Sequence, residues 1–173
     1  MSSPELSPIS QADFVADVKA LAALLAADHW TPDYLIGVGR GGLVPAAFLS
    51  HASGVTLLSV DYSSKEFSFA EALLHKLAAK TVAGQKLLIV DDINDSGKTI
   101  TELRRILAKE GGLPENLRVA VLMNNIRSDA VADYWAREID RDTDKRWFVF
   151  PWEAMAPATV IVEDAVAVPE RLA

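Results

Sequence analysis

The chain contains no cysteine, which excludes disulfides, thiolate nucleophiles and thiolate metal sites. No apolar run approaches the ~20 residues of a membrane-crossing helix. Basic residues are in the minority, 17 Lys and Arg against 24 Asp and Glu, and the net charge of -7 excludes a broad electrostatic grip on nucleic acid. A local anion site built from backbone amides and a few basic side chains stays open. His29, His51 and His75 have no metal-ligand spacing. The opening MSSPELSPIS has neither a basic leader nor an apolar centre, so no secretory signal is expected, and the cytoplasm is the expected compartment.

What is present suits one domain with a sizeable core: 173 residues, 50% hydrophobic and 24% charged. Residues 1–10, rich in Ser and Pro, are expected to be a flexible end, with residues 11–173 forming a single domain. Phe14, Val18, Leu21 and Leu25 recur at helical spacing between Gln11 and Asp28. Strands are expected at 34–38, 55–60, 87–90, 117–123 and 147–150, and helices at 43–51, 71–80 and 98–110. The stretch 61–69 reads as a flap, and 136–146, alternating in charge sign, as a mobile polar connection. Trp30 and Trp135 read as packing, and Arg104-Arg105 as a solvated helix face. Unalternating strands between helices predict a parallel sheet covered on both faces, with ligands beyond the carboxyl ends of the strands.

The unusual chemistry falls at those ends. LLIV (87–90) is followed by Asp91 and Asp92, then INDSGKT. Neighbouring carboxylates repel each other and cost desolvation unless a cation or hydroxyls meet them, so a bound group is expected. Ser96, Gly97, Lys98 and Thr99 lie where strand gives way to helix, and free amides there would hold a phosphate. A plain N-cap at Asp95 or Ser96 is the simpler alternative, but it leaves Asp91-Asp92 unexplained. A P-loop would need glycine at position 92, which is aspartate. GVGRGG (37–42) has dinucleotide-binding spacing, with Asp61 ending the next strand. Arg40 inside the turn and the short chain weigh against that reading, and a tight turn using glycine's positive φ is the plain alternative. Together the features predict an extended ligand with a phosphate at one end, hydroxyls in the middle and a second anion at the far end.

LLIVDDINDSGKT (87–99) resembles the signature of the type I phosphoribosyltransferases. GVGRGGLVPA is similar to the pyrophosphate loop of the purine (hypoxanthine, xanthine, guanine) members, and WFVFPWE to their base-binding segment. The resemblance implies a Rossmann-like α/β fold, a twisted parallel β-sheet flanked by helices with a small hood. It implies phosphoribosyl pyrophosphate (PRPP) and a free nucleobase, a 6-oxopurine by preference, as substrates, with Mg²⁺. By the same resemblance Asp91 and Asp92 meet the ribose hydroxyls, directly or through the metal, and Asp95, Ser96, Gly97, Lys98 and Thr99 wrap the 5-phosphate. Gly39, Arg40 and Gly41 hold the pyrophosphate, often beside a non-proline cis peptide in relatives. Trp147 stacks on the base and the Phe148 backbone reads its edge, with Trp152 and Glu153 in the same segment. Asp95 is the expected proton acceptor, and Lys65 in the flap would reach the pyrophosphate.

One departure stands out. The family's lysine after the fourth strand, which donates to the purine C6 oxygen, is replaced within LMNNIRSD, where Asn124, Asn125 and Arg127 are the alternatives. Rival functions are a PRPP- or nucleotide-sensing protein without turnover and a dinucleotide-binding module. The expected assembly is a homo-oligomer, dimer or tetramer, with the apolar tail 158–173 docking on a partner subunit. No nucleic acid or membrane partner is expected.

Overall fold

In the computed structural model the described residues are 4–61 and 67–167, those of 67–71 by backbone alone. Five parallel strands make the central sheet: β2 (Tyr34–Val38), β3 (Thr56–Val60), β4 (Leu87–Asn94), β5 (Leu117–Asn125) and β6 (Tyr134–Ile139), in the order β3-β2-β4-β5-β6. A separate parallel pair joins β1 (Leu6–Pro8) to β7 (Trp147–Val149).

Side-chain alternation explains the layering. Leu87 and Ile89 of β4 point to one face, where they pack with Leu74, Leu77 and Ala78 of α3 (Phe67–Val82) and Ile100, Leu103, Ile106 and Leu107 of α4 (Lys98–Lys109). Leu88 and Val90 point to the other, against Phe14, Val18, Leu21 and Leu25 of α1 (Gln11–Ala27) and Ala46 and Leu49 of α2 (Gly39–Ser53). The four α1 residues are those of its helical periodicity, and Ser10 caps that helix by accepting from the Asp13 N–H. A last helix, α5 (Ala158–Val166), covers much of the tail. No helix among the described residues is long and apolar enough to cross a membrane.

Several elements differ from expectation. The ladder of β4 runs past the apolar residues, with Asp91, Ile93 and Asn94 opposite Val121, Met123 and Asn124 of β5. The first turn of α2 is the GRGG segment itself. Residues 6–8, inside the stretch expected to be flexible, are a strand, because the Trp147 N–H donates to the Glu5 carbonyl (2.8 Å) and the Ile9 N–H to that of Val149 (2.9 Å). The polar run 136–146 is not a mobile connection: its start completes β6 as a sheet edge, and Arg137 reaches the buried Asp17 of α1 at 2.7 Å. Of the expected flap, residues 62–66, Lys65 among them, lie outside the described residues, and 67–69 belong to α3. The described backbone has no cis peptide bond, so the Gly39–Gly41 turn is all-trans.

Candidate active site

Strands β2 and β4 are neighbours, so the helices that follow them start side by side. Neither α2 nor α4 has a side-chain cap or an acid in its first turn. Two helix N-termini thus present backbone amides and positive dipole ends to the same region, a setting that attracts anions. A cleft of about 1090 Å³ opens there, and its walls bring together Gly39, Arg40, Gly41, Asp91, Asp92, Thr99 and Trp147. Residues from three separate chain segments meet on these walls, whereas Asp95, Ser96, Gly97, Lys98, Phe148 and Asn124 do not line them.

Backbone geometry explains why glycine occupies two of these positions. Gly97 ends the turn before α4 at φ 82°, in the left-handed region. A Cβ there would sit 2.6 Å from the Ala130 nitrogen and 2.8 Å from Ser128 Oγ, because the β5–β6 connection packs on the turn. Gly41 lies against the Asp92 carboxylate, whose Oδ2 would be 2.4 Å from an added Cβ. The start of α2 and the second carboxylate are therefore in close contact before any ligand arrives.

Asp91 is pushed well above the usual carboxylate range, first by burial and then by the charge of Asp92. The Asp92 N–H, donating to Asp91 Oδ1 at 3.0 Å, works the other way. This is the electrostatic signature expected of paired acids awaiting hydroxyls or a cation. Among the described residues no group of three or more His, Asp or Glu could hold a metal on its own. Two adjacent carboxylates fit Mg²⁺, which keeps waters and shares substrate oxygens, better than a cation that needs a full protein cage.

On the base side, β7 carries Trp147 into the cleft wall. Trp147 and Val149 turn their backbone groups to β1, which leaves those of Phe148 on the opposite side of the strand. Trp152 also lines the cleft; it stacks on Phe150 at 4.9 Å and meets Phe14 edge-on at 5.3 Å, so it is packing as well as wall. Glu153 accepts from the Phe150 N–H at 2.9 Å.

Asp95 faces a partner that the sequence did not reveal. Both of its oxygens take a fork from Arg141, Nε to Oδ1 at 3.0 Å and Nη2 to Oδ2 at 3.1 Å, with the two side chains 10% and 9% exposed. Arg141 Nη1 donates to the carbonyls of Asp144 (3.1 Å) and Arg146 (2.7 Å), and its guanidinium lies 5.0 Å from the Phe148 ring centroid. Buried Asn125 completes the node: its Nδ2 donates to the Asp95 carbonyl at 2.9 Å and its Oδ1 accepts from the Arg141 N–H at 3.2 Å. Arg141 lay in a run read as a mobile polar connection, and no local sequence signal marks it as the one buried arginine among alternating charges.

The residues considered in place of the missing lysine each have contacts within the protein. Asn124 Oδ1 accepts from buried Asn94 at 2.8 Å, and Asn94 also holds the Ala130 carbonyl and the Ser128 hydroxyl. Arg127, more than half exposed, pairs with Asp140 and Asp142.

The family model of the phosphoribosyl transferase domain matches residues 9–157. The xanthine-guanine phosphoribosyltransferase of Gluconobacter oxydans is 30% identical over 141 residues, 79% of this chain and 78% of that one. A purine phosphoribosyltransferase from Pyrococcus horikoshii superposes with a TM-score of 0.62 at 26% identity, covering 87% of this chain and 96% of its own. A hypothetical protein from Neisseria gonorrhoeae with bound ppGpp shares the fold at a TM-score of 0.69, 20% identity and 98% coverage of both chains. With two uncapped helix starts, paired acids and Trp147 on one cleft, and a match over most of its length, the chain belongs to the phosphoribosyltransferase family.

Proposed function

We propose that the protein transfers the 5-phosphoribosyl group of PRPP to a free 6-oxopurine, giving a nucleoside monophosphate and pyrophosphate, a step of purine salvage. The observation that carries this reading is the convergence of the two helix starts, Asp91-Asp92 and Trp147 on one cleft. The turn 95–99 at the head of α4 takes the 5-phosphate, and Gly39–Gly41 with Arg40 takes the pyrophosphate. Asp91 and Asp92 between them receive the ribose hydroxyls. Trp147 stacks on the base while the Phe148 backbone meets its edge.

The reaction breaks the bond from ribose C1 to pyrophosphate and forms one from C1 to a base nitrogen through an oxocarbenium-like state. Arg40 and the α2 amides stabilise charge growing on the leaving group. Asp91 and Asp92 would hold Mg²⁺, which when bound supplies further neutralisation of the pyrophosphate. Asp95, at the base end of the turn, accepts the imidazole proton, with Arg141 fixing its orientation. The same reading places the protein in the cytoplasm as a homo-oligomer, dimer or tetramer, which light scattering would measure.

A second reading, binding of a phosphate-rich nucleotide without turnover, draws support from the Neisseria gonorrhoeae neighbour solved with ppGpp. Pyrophosphate release with PRPP, Mg²⁺ and a panel of bases separates the two. Transfer to at least one 6-oxopurine is expected; PRPP or ppGpp binding with no release for any base would favour the second. Asp91→Asn is expected to weaken PRPP binding at least about 10-fold, as loss of charge-assisted hydrogen bonds does.

A further inference from the structure

We propose that Asn94 is a positioning residue for the 5-phosphate: acting through Ser128 and Ala130, it keeps the turn before α4 in a preformed anion-binding shape. This rests on the reading above that the turn 95–99 takes that phosphate. Asn94 ends β4 and is 2% exposed. Its amide is fully used. The two N–H groups of Nδ2 go to Asn124 Oδ1 and to the Ala130 carbonyl, each at 2.8 Å, and Oδ1 accepts from the Ser128 hydroxyl at 2.7 Å. Ser128 Oγ accepts in turn from the Ala130 N–H at 3.3 Å.

The two residues that Asn94 holds are those against which Gly97 packs too closely for a Cβ. Gly97 is the N-cap of α4, and Thr99 in the first turn of that helix lines the cleft. Contact therefore runs from Asn94 through the β5–β6 connection to the helix start that faces the ligand. Little else fixes that connection: Ile126, Arg127, Asp129 and Val131 are exposed, and Ala130 is a small buried side chain. Hydrogen bonds rather than apolar burial hold it, and a fully paired buried network rigidifies what it touches. The other end of the turn is held likewise, by Asn125 Nδ2 on the Asp95 carbonyl at 2.9 Å. A turn ordered in advance binds its anion without the entropic cost of ordering then. The second anion turn, Gly39–Gly41, rests on Asp92 instead, so the effect of Asn94 is confined to the 5-phosphate half.

The test measures, by calorimetry, binding of ribose 5-phosphate, which carries the 5-phosphate alone, and of magnesium pyrophosphate, which carries the other anion alone. The proteins are the wild type, Ser128→Ala, Asn94→Leu and the double variant. Ser128→Ala should weaken ribose 5-phosphate about 5-fold and Asn94→Leu at least about 10-fold, as loss of one and of three buried hydrogen bonds implies. Pyrophosphate should change less than about 2-fold in either. The double variant should lie within about 2-fold of Asn94→Leu, because both substitutions act through one contact. Parallel loss of the two ligands, as general loosening would give, would overturn the assignment. So would wild-type affinity for ribose 5-phosphate in Ser128→Ala, or losses that multiply in the double variant. Should Asn94→Leu not fold, the contrast between the two ligands in Ser128→Ala decides alone. Absence of ribose 5-phosphate binding by the wild type would instead overturn the reading of the turn on which the inference rests.

Discussion

Gly97 carries two demands at once, a left-handed φ of 82° and contact with the backbone of the β5–β6 connection. The sequence marked Gly97 only as part of an expected phosphate turn and revealed neither demand; the second was hidden because Ser128 and Ala130 are distant in the chain. Gly97→Ala is expected to lose at least about 1–2 kcal/mol from the backbone conformation alone, and more from the clash at Ala130. Thermal unfolding and PRPP titration should both register it; a variant with native Tm and native PRPP affinity would contradict this account of the turn. Asp28 gives a pH-dependent case far from the cleft. It accepts from the Trp30 N–H, the Tyr134 hydroxyl and Arg118, and these bonds, the Trp30 amide foremost, lower it to about 2. A lowered carboxylate stabilises the fold fully above its ordinary value of 3.8, and that contribution fades as pH falls toward 2. Asp28→Asn should therefore reduce Tm near neutral pH, with the difference from wild type shrinking between roughly pH 4 and pH 2. A constant difference would show that charge is not the cause.

Elements with strong periodicity were legible, and short or charged ones were not. The set Ile100, Leu103, Ile106 and Leu107 marks α4 in the sequence, and all four are buried. β4 read as ending at Val90 because its apolar run stops there, whereas hydrogen bonding to β5 carries the strand on to Asn94. β6 was missed because an edge strand has one exposed side and tolerates Arg137 and Glu138. Arg137 there neutralises Asp17, whose carboxyl is raised chiefly by burial. Arg137→Met should cost about 1–3 kcal/mol, at the low side for a buried pair because the guanidinium is partly solvated. An unchanged denaturation midpoint would mean that the α1–β6 ion pair contributes nothing. β1, three residues with a proline, offers no local signal and exists only through β7. Since it braces the strand bearing Trp147, deleting residues 1–9 should raise KM for the base about 10-fold, with a smaller effect on PRPP. Equal effects on both substrates would point to general destabilisation.

For the molecule as a whole, the three-layer plan followed from unalternating strands between amphipathic helices, and the place of the site followed from which strands end in acids and glycine. The glycine spacing alone also suited a dinucleotide turn. The structure gives it another partner, since Gly41 rests on Asp92 at the head of the neighbouring strand. What composition could not convey was the node that ties Asp95, Asn125, Arg141 and β7 together, because its three polar residues come from separate segments and meet an aromatic ring of a fourth. Because the cleft joins α2, β4, α4 and β7, its ligand should stabilise the fold globally. PRPP with Mg²⁺ at 100 times Kd contributes about 2.7 kcal/mol, a rise in Tm of roughly 5–10 °C for a chain of this size. No rise at saturating PRPP would mean that the cleft is not its site.

The pairing of Leu6–Pro8 with Trp147–Val149 also sets an order of assembly during synthesis. Strands β2 and β4 with the start of α4 can gather once β5 has emerged, but β1 must wait for β7 before it has anything to hold. Among the described strands that ladder joins the residues farthest apart in sequence, and such contacts form late. A nascent chain stalled before Trp147 would have both uncapped helix starts and lack the strand that closes the opposite wall of the cleft.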